Sequence, residues 1–573
     1  VVLVLAAAGR SLAVLASAAV AAGTILAVGW LRVGHRWLYQ WLGIGIRYAG
    51  RRHGLTAGAP ATRLLALIAP GTRVVPAEFG ADAAAVLVDH HGLAAVLELG
   101  DPDAVVGDAD HPLPSPASLL PPATSDTPPV QVQLVLEAVP APSPRVGGGV
   151  AVTSYRRLAG GRLAAQGRAL LAVRVLRADG WAEDDLRRAL SSSVRKVRGR
   201  LGDVPSSPLG PAAALRVLAE LAHHDGAYGA RETWSAVHVG GLHEVTFRLR
   251  RWPDPHAQSA RRLVPRLLAL PATAVTVAMT VGPRDPDRAG AVAADLAIRV
   301  TAEDPAGLAV GVPALHALLA AERAGVERLD GEQLDGLAAT LPLGGPAPPT
   351  LTRAARGGRA EPTGLDLLEL SVGNAGLMIG TNRHGAPVVA RLFRPEPTRA
   401  LLAGRLAAAQ LLAMRALALG ANLAIETARP HAWEPFLRAV AGPGQTIPVT
   451  PPGRHAPAPP ASPFAPLLVI VDAGAVPTED RPGSGWQASL VVRDGLGPGE
   501  VDALSHADLA VLQHLRPGEA ASAGAALGLG ENAGWLSRMR RDMVAVVHRR
   551  SVRWALLSAT DVETQLIGPV ERG

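Results

Sequence analysis

Hydrophobic and polar positions divide this chain into stretches of different texture. Residues 11–31 (SLAVLASAAVAAGTILAVGWL) carry no charge, and Arg10 and Arg32 bracket them. At about 1.5 Å rise per residue such a run covers roughly 31 Å, the depth of a bilayer's hydrocarbon core, so the pattern predicts a transmembrane helix over 11–31. Its Ala, Gly, Ser and Thr content suits close packing against other membrane helices. The apolar stretch before Arg10 (VVLVLAAAG) is too short to span and reads as the remnant of a first transmembrane helix. Past the run, Trp30, Trp37, Tyr39, Trp41 and Tyr48 interleave with Arg32, Arg36, Arg47, Arg51 and Arg52. Indole and phenol rings favour the headgroup layer and arginines the cytoplasmic leaflet. Arg32, Arg36, Trp37, Tyr39, Trp41, Arg47, Arg51 and Arg52 are therefore the candidate membrane-interface residues. The C-terminal bulk is expected on the cytoplasmic side of the cytoplasmic (inner) membrane. An arginine-rich stretch after the apolar run, with no small-x-small site, argues against a cleaved leader.

From residue 59 the pattern changes to strand-length apolar runs. Residues 84–89 and 93–99 predict a hairpin, as do 234–239 and 242–252 across Gly240-Gly241, the residue type that two-residue primed turns require. Further strands are expected at 130–139, 169–176, 272–281 and 290–300. A charged helix is expected over 181–201, with Glu183, Asp184 and Asp185 near its positive end, and another over 313–324 starting at Pro313. Residues 59–343 thus read as a mixed α+β cytosolic domain. The Pro- and Gly-rich stretch 344–362 (GGPAPPTLTRAARGGRAEP) reads as a linker. Beyond it, strands at 365–372, 376–381, 387–393, 399–403, 422–427, 467–472 and 486–492 alternate with helices at 406–419, 432–440 and 534–548. That alternation predicts an α/β domain over 363–573 with a largely parallel sheet. The expected fold is a membrane-anchored α/β chain: a membrane and juxtamembrane region (1–58), the α+β domain, the linker and the α/β domain.

Composition narrows the chemistry. The chain holds 56 basic and 49 acidic residues, a net charge of +7, and Lys196 is its one lysine. An arginine-dominated count of this kind follows from a GC-rich genome. No basic stripe interleaved with aromatics marks a nucleic-acid face in the soluble part, so no nucleic-acid partner is expected. There is no cysteine, which excludes disulfides, thiol nucleophiles and Cys-based zinc sites.

The α/β region invites a nucleotide reading, because strand 399–403 runs through Gly404 into a helix and the strand LLVIVD ends in Asp472, where a magnesium-holding carboxylate would sit. A phosphate loop, however, needs several glycines and a lysine. The turn here is A-G-R-L, and Lys196 lies in the other region. The region is therefore expected to be a degenerate nucleotide-binding-like domain with no cofactor. His238 and His243 would pair across a hairpin with Glu244 adjacent, but Glu244 would point to the opposite face, which disfavours a metal site. His223-His224-Asp225 reads as a helix end. Asp330 and Glu332 read as turn residues. Three D-x-D patterns, at 101–103, 108–110 and 285–287, sit in proline-bearing, loop-like sequence. No catalytic, cofactor or metal residue is assigned.

Several segments together resemble the EccE family of actinobacterial type VII (ESX) secretion systems. They are TSYRRL (153–158), ETWSAVHVGGLHEVTFRLRRWP (232–253), RLDGEQLDGLAATLPLGG (328–345), NRHGAPVVARLFRPEPTR (382–399), AAAQLLAMRALALGA (407–421) and ARPHAWEPFL (428–437). The resemblance implies a structural or assembly subunit, not an enzyme, set beside EccB-, EccC- and EccD-like subunits in the lipid bilayer, with EccC supplying the ATPase. It also implies two membrane helices, where this chain shows one full run and a fragment. The alternatives are a membrane-tethered, glycosyltransferase-like enzyme and a nucleotide-sensing regulator.

Overall fold

A computed structural model of the chain describes residues 17 to 571, apart from 18, 22, 24–28, 35, 108–110, 123, 125, 162, 285–291, 346–358, 361, 373–374, 443–445, 475–482 and 498–499. Two large sheets organise it. The first comprises β1 (Arg73–Phe79), β2 (Asp82–Val88), β3 (Gly92–Leu99), β4 (Val130–Pro140), β5 (Ala164–Leu176), β6 (Leu242–Arg251), β7 (Ala274–Arg284) and β8 (Val292–Ala302). Their spatial order is β6-β8-β7-β4-β5-β3-β2-β1, extended beyond β6 by the short strands Val237–Val239, Ala230–Glu232 and Gly54–Leu55. Every pairing along this path is antiparallel.

The strands of this sheet are apolar on both faces because helices cover both. The helices of this half are α1 (Leu38–Gly50), α2 (Ala61–Ile68), α3 (Val150–Ala159), α4 (Glu183–Arg200), α5 (Pro211–Leu221) and α6 (Pro305–Ala321), of which α4 and α6 cover one face and α2 and α5 the other. Leu186, Leu190, Val194 and Val197 of α4, with Leu315 and Leu319 of α6, complete one core. Leu64, Leu65 and Ile68 of α2, with Val217, Leu218 and Leu221 of α5, complete the other. The expected hairpin over Gly240-Gly241 is present, with φ of 57° and 75° and Val239 opposite Leu242. Side chains with a Cβ rarely occupy that left-handed region. Helix α6 starts at Pro305, not Pro313. Asp304 is its N-cap, with the side chain accepting from Gly307 N at 2.7 Å, and Pro305 takes the first helical position. Pro313 is tolerated inside because it and Ala309, whose carbonyl it leaves without a donor, are both exposed to water.

The second sheet is built from β9 (Leu377–Thr381), β10 (Pro387–Ala390), β11 (Thr398–Ala403), β12 (Asn422–Thr427), β13 (Leu467–Asp472), β14 (Gln487–Arg493), β15 (Leu509–Leu512), β16 (Met543–His548) and β17 (Ser551–Leu556). Between them run α7 (Leu406–Ala418), α8 (Pro430–Val440), α9 (Glu500–Ser505) and α10 (Pro517–Leu527), and α11 (Asp561–Ile567) follows β17. The spatial order is β12-β13-β14-β11-β15-β16-β17-β9-β10, with Val449–Thr450 outside β12 and Val106–Gly107 outside β10.

The expected fold class is corrected on three points. First, among the described residues no helix is long and apolar enough to cross a membrane. Of the expected span 11–31, only 17, 19–21, 23 and 29–31 are described, and the apolar fragment before Arg10 lies outside the described residues. Second, the sheet expected to be largely parallel is mixed. Pairings from Val449–Thr450 through β15 are parallel, and those from β15 through Val106–Gly107 are antiparallel. Third, 534–548 is not one helix. A 3-10 turn at Gly530–Ser537 precedes β16, whose sequence MVAVVH is a β-branched run paired on both sides by β15 and β17. Residues 365–372 likewise give only a helical turn, Pro362–Leu365, and a short strand, Ser371–Val372.

The early chain also enters the second core. Val106–Gly107 pairs with β10, and His111–Pro112 pairs with Ser371–Val372. Ala151, Tyr155 and Ala159 of α3 pack among the residues of β9, β11 and α7. The Tyr155 hydroxyl donates to Gly376 O at 3.3 Å and accepts from Met378 N at 3.2 Å. Burial pushes its phenol up to about 12.

Candidate functional site

In open sheets with parallel strands, ligands bind outside the carboxyl ends of the strands, where the strand order reverses. Here that place lies over β11, which is flanked by β14 and β15. The chain turns through Gly404 and Arg405 into α7, so the backbone N–H groups of the turn stand where a phosphate loop would present them. They are already used. Gly404 N donates to Arg493 O at 2.8 Å, and Arg405 N donates to Gln513 Oε1 at 2.8 Å. Gln513 is buried, and its amide nitrogen donates to Val570 O at 2.8 Å. A Cβ at Gly404 would lie 2.5 Å from Gln513 Oε1. Arg405 Nη1 reaches Glu571 O at 3.0 Å. The crevice is thus filled by a glutamine side chain and strapped by the segment around Val570.

Asp472 ends β13 as expected, but it faces no open space. Arg429 approaches it with Nε at 2.9 Å and Nη2 at 2.8 Å, Trp433 Nε1 lies at 2.9 Å, and Thr427 Oγ1 at 3.0 Å. A carboxylate offers about four lone-pair sites, so these donors leave none for a cation. The other edge of the Arg429 guanidinium takes Asp494, at 2.8 and 3.0 Å. Hydrogen bonds to Asp472 and then to Asp494 hold Arg429 still more firmly charged than a free arginine, against its partial burial. Burial pushes the neighbouring Arg493 guanidinium down, with Glu500 and Asp472 opposing it.

The other residues weighed for chemistry are dispersed. His238 and His243 face each other across the hairpin, ring centroids 4.4 Å apart, while Glu244 turns to the opposite face and binds His223 Nδ1 at 2.6 Å. His223 lies just beyond the end of α5 in the left-handed region, φ 52°. Burial disfavours its charge, but hydrogen bonds to Glu137 and Glu244 outweigh that and raise it to about 9. Arg299 completes this buried group, donating to Glu244 Oε2 at 3.1 Å. Asp330 pairs with Arg328 at 2.6 Å. Asp101 accepts from Asp103 N in a turn, and the patterns at 108–110 and 285–287 lie outside the described residues.

The eight candidate interface residues, on α1 and at its two ends, fall into an inward and an outward group. Arg36 is buried and bonds Glu327, with Glu332 at 2.9 Å, beneath the Trp41 ring at 5.1 Å. Arg47 pairs with Glu332 at 2.7 Å. Arg51 reaches Asp335 at 3.1 Å and also bonds Glu232. Trp41 and Tyr48 pack on Trp234, with centroids 6.1 and 5.2 Å away, and Ile44 is buried against Gly331, where a Cβ would lie 2.7 Å from Ile44 Cγ2. Arg32, Trp37, Tyr39 and Arg52 lie on the exposed side. The acidic recess of Glu232, Glu327, Glu332 and Asp335 carries no local motif, and sequence reasoning missed it. The one available signal was the excess of arginine before Glu78, which calls for distant carboxylates.

No family model and no curated protein matches the chain. Among solved structures it is matched by the genome packaging NTPase B204 from Sulfolobus turreted icosahedral virus 2 in complex with AMP, at 8% identity and a TM-score of 0.21. The same protein in complex with AMPPCP is matched at 9% identity and a TM-score of 0.22. Each match covers 28% of this chain and 98% of that chain. Likeness at this level carries no argument about what the chain binds.

Proposed function

We propose that the chain is a non-catalytic assembly subunit of a type VII secretion complex, set beside EccB-, EccC- and EccD-like partners at the cytoplasmic membrane, with its two sheets in the cytoplasm. The observation that carries the non-catalytic part is the occupied crevice: Gln513 fills the turn at Gly404, and Arg429, Trp433 and Thr427 saturate Asp472. A folded domain that spends its nucleotide-binding position on its own side chains is suited to bracing other subunits. The secretion assignment rests on the six sequence segments that resemble EccE. The test has two arms. A gentle detergent pull-down from native membranes is expected to bring down EccB-, EccC- and EccD-like subunits, and migration of the chain alone, near 58.9 kDa, sinks the assembly reading. Calorimetry of the full chain with ATP and magnesium is expected to show no saturable heat. Micromolar binding, about −8 kcal/mol, would favour a nucleotide-sensing regulator instead.

A further inference from the structure

Helix α1 has two apolar faces, and the sheet uses one of them. Trp41, Ile44, Tyr48 and Arg51 turn inward onto Trp234, Gly331 and the acidic recess. Tyr39, Leu42 and Ile46 share the outward face, continued at its N-terminal end by Trp30, Leu31, Val33 and Trp37. All are exposed, Ile46 at 73% and Trp30 at 81%. Large apolar side chains gathered in so short a stretch mark an interaction surface. The charge on this surface has one sign. Arg32 stands over the Trp37 ring at 5.9 Å, and Arg52 is exposed at the other end. The first carboxylate in the sequence is Glu78, and the recess carboxylates are engaged by Arg36, Arg47 and Arg51 on the inward side.

We infer that the outward face of α1 and the aromatic strip leading into it lie on an anionic lipid surface, with the inward face clamping the first sheet at a fixed attitude to that surface. This rests on the placement at a membrane in the function proposed above. Aromatic rings with a polar edge belong at the headgroup layer, and arginine rims are drawn to anionic headgroups. A partner protein's apolar groove would not call for arginines at both ends of the strip, Arg32 and Arg52, with no acidic residue anywhere between them in the sequence.

The chain has no native cysteine, so Ile46→Cys and, as a distant exposed control, Trp535→Cys can each carry one environment-sensitive fluorophore on the full chain. Both proteins are reconstituted with vesicles of phosphatidylcholine and phosphatidylglycerol. Nitroxides on the lipid chains are expected to quench the label at 46 several-fold more than the label at 535. The difference should shrink in pure phosphatidylcholine. Equal, weak quenching at both positions overturns the inference. So does protection of the label at 46 that appears in detergent only on adding a partner subunit or raising the protein concentration, because the occupant is then a protein. Lost lipid quenching with normal partner co-purification sinks the lipid face alone. Lost co-purification with intact quenching sinks the assembly reading alone.

Discussion

The two sheets solve the burial of an arginine in opposite ways. In the first, Arg299 lies within one sheet face: Glu244 and Thr276 stand on the strands flanking β8, and His223 sits at the end of the helix above. In the second, Arg415 on α7 reaches three separate segments. It takes both oxygens of Glu563 at 3.0 Å, Met378 O at 3.0 Å and Ile379 O at 2.7 Å, and Leu557 O and Ser558 O at 3.2 and 3.3 Å. In the antiparallel sheet the group around Arg299 ties three neighbouring strands to one another and to the helix above them. The mixed sheet joins two halves of different direction, and a fully satisfied cation ties the antiparallel half to the helix packed beneath it.

This contrast can be broken most sharply at Glu563. Glu563→Ala leaves Arg415 buried without its counterion, an effect of about 3–5 kcal/mol. The unfolding free energy read from hydrogen exchange in β9 and β11 should fall by that amount, while that of β3 to β5 falls less. Equal losses in both would mean one cooperative unit and end the contrast.

The next effect is pH-dependent and belongs to the first sheet. His223 is raised in the folded state to about 9, above the ordinary value of about 6.5. Its contribution is therefore complete below about pH 6.5 and is lost as pH rises through 9. Exchange protection of β6 and β8 should fall over that window, and His223→Gln should flatten the profile. A wild-type profile as flat as the variant's removes the claim.

Tyr155→Phe deletes a hydroxyl bonded to two buried backbone groups, an effect of about 1–2 kcal/mol. It should weaken the second sheet although the residue lies in the first half of the chain. A loss confined to the first sheet would contradict the stitching by α3. The smallest effect is expected at the start of α6, where Asp304→Ala removes an N-cap for about 1 kcal/mol, measured by thermal unfolding. An unchanged Tm would show that Pro305 alone sets the helix start.

What the sequence made legible was whatever depends on near neighbours. Gly240-Gly241 announced its hairpin, and the alternation after residue 398 announced β11, α7 and β12 within a residue or two. The start of α6 lies at Pro305 rather than Pro313 because Asp304 can cap the helix and Val312 cannot, a local signal that a reading from Pro313 alone passes over. β16 departs from the expected helix because its β-branched run, too short to stand out by itself, is held by pairing with β15 and β17. The candidate site divides in the same way. Asp472 at a strand end was visible, but Arg429, 43 residues away, carries no pattern that assigns it to Asp472. Composition groups the arginines and aromatics around α1, whereas burial against Glu232, Glu327, Glu332 and Trp234 separates the clamp from the exposed face.

The stitching at Tyr155 has a consequence for how the chain is made. Its hydroxyl waits for Gly376, 221 residues downstream. At about 5–20 residues per second on the ribosome, that delay is roughly ten to forty-five seconds. During it Ala151, Tyr155 and Ala159 form a greasy ridge with nothing to sit against. Nascent chains stalled between residues 165 and 375 should therefore bind a holding chaperone, and release it only once α7 has emerged.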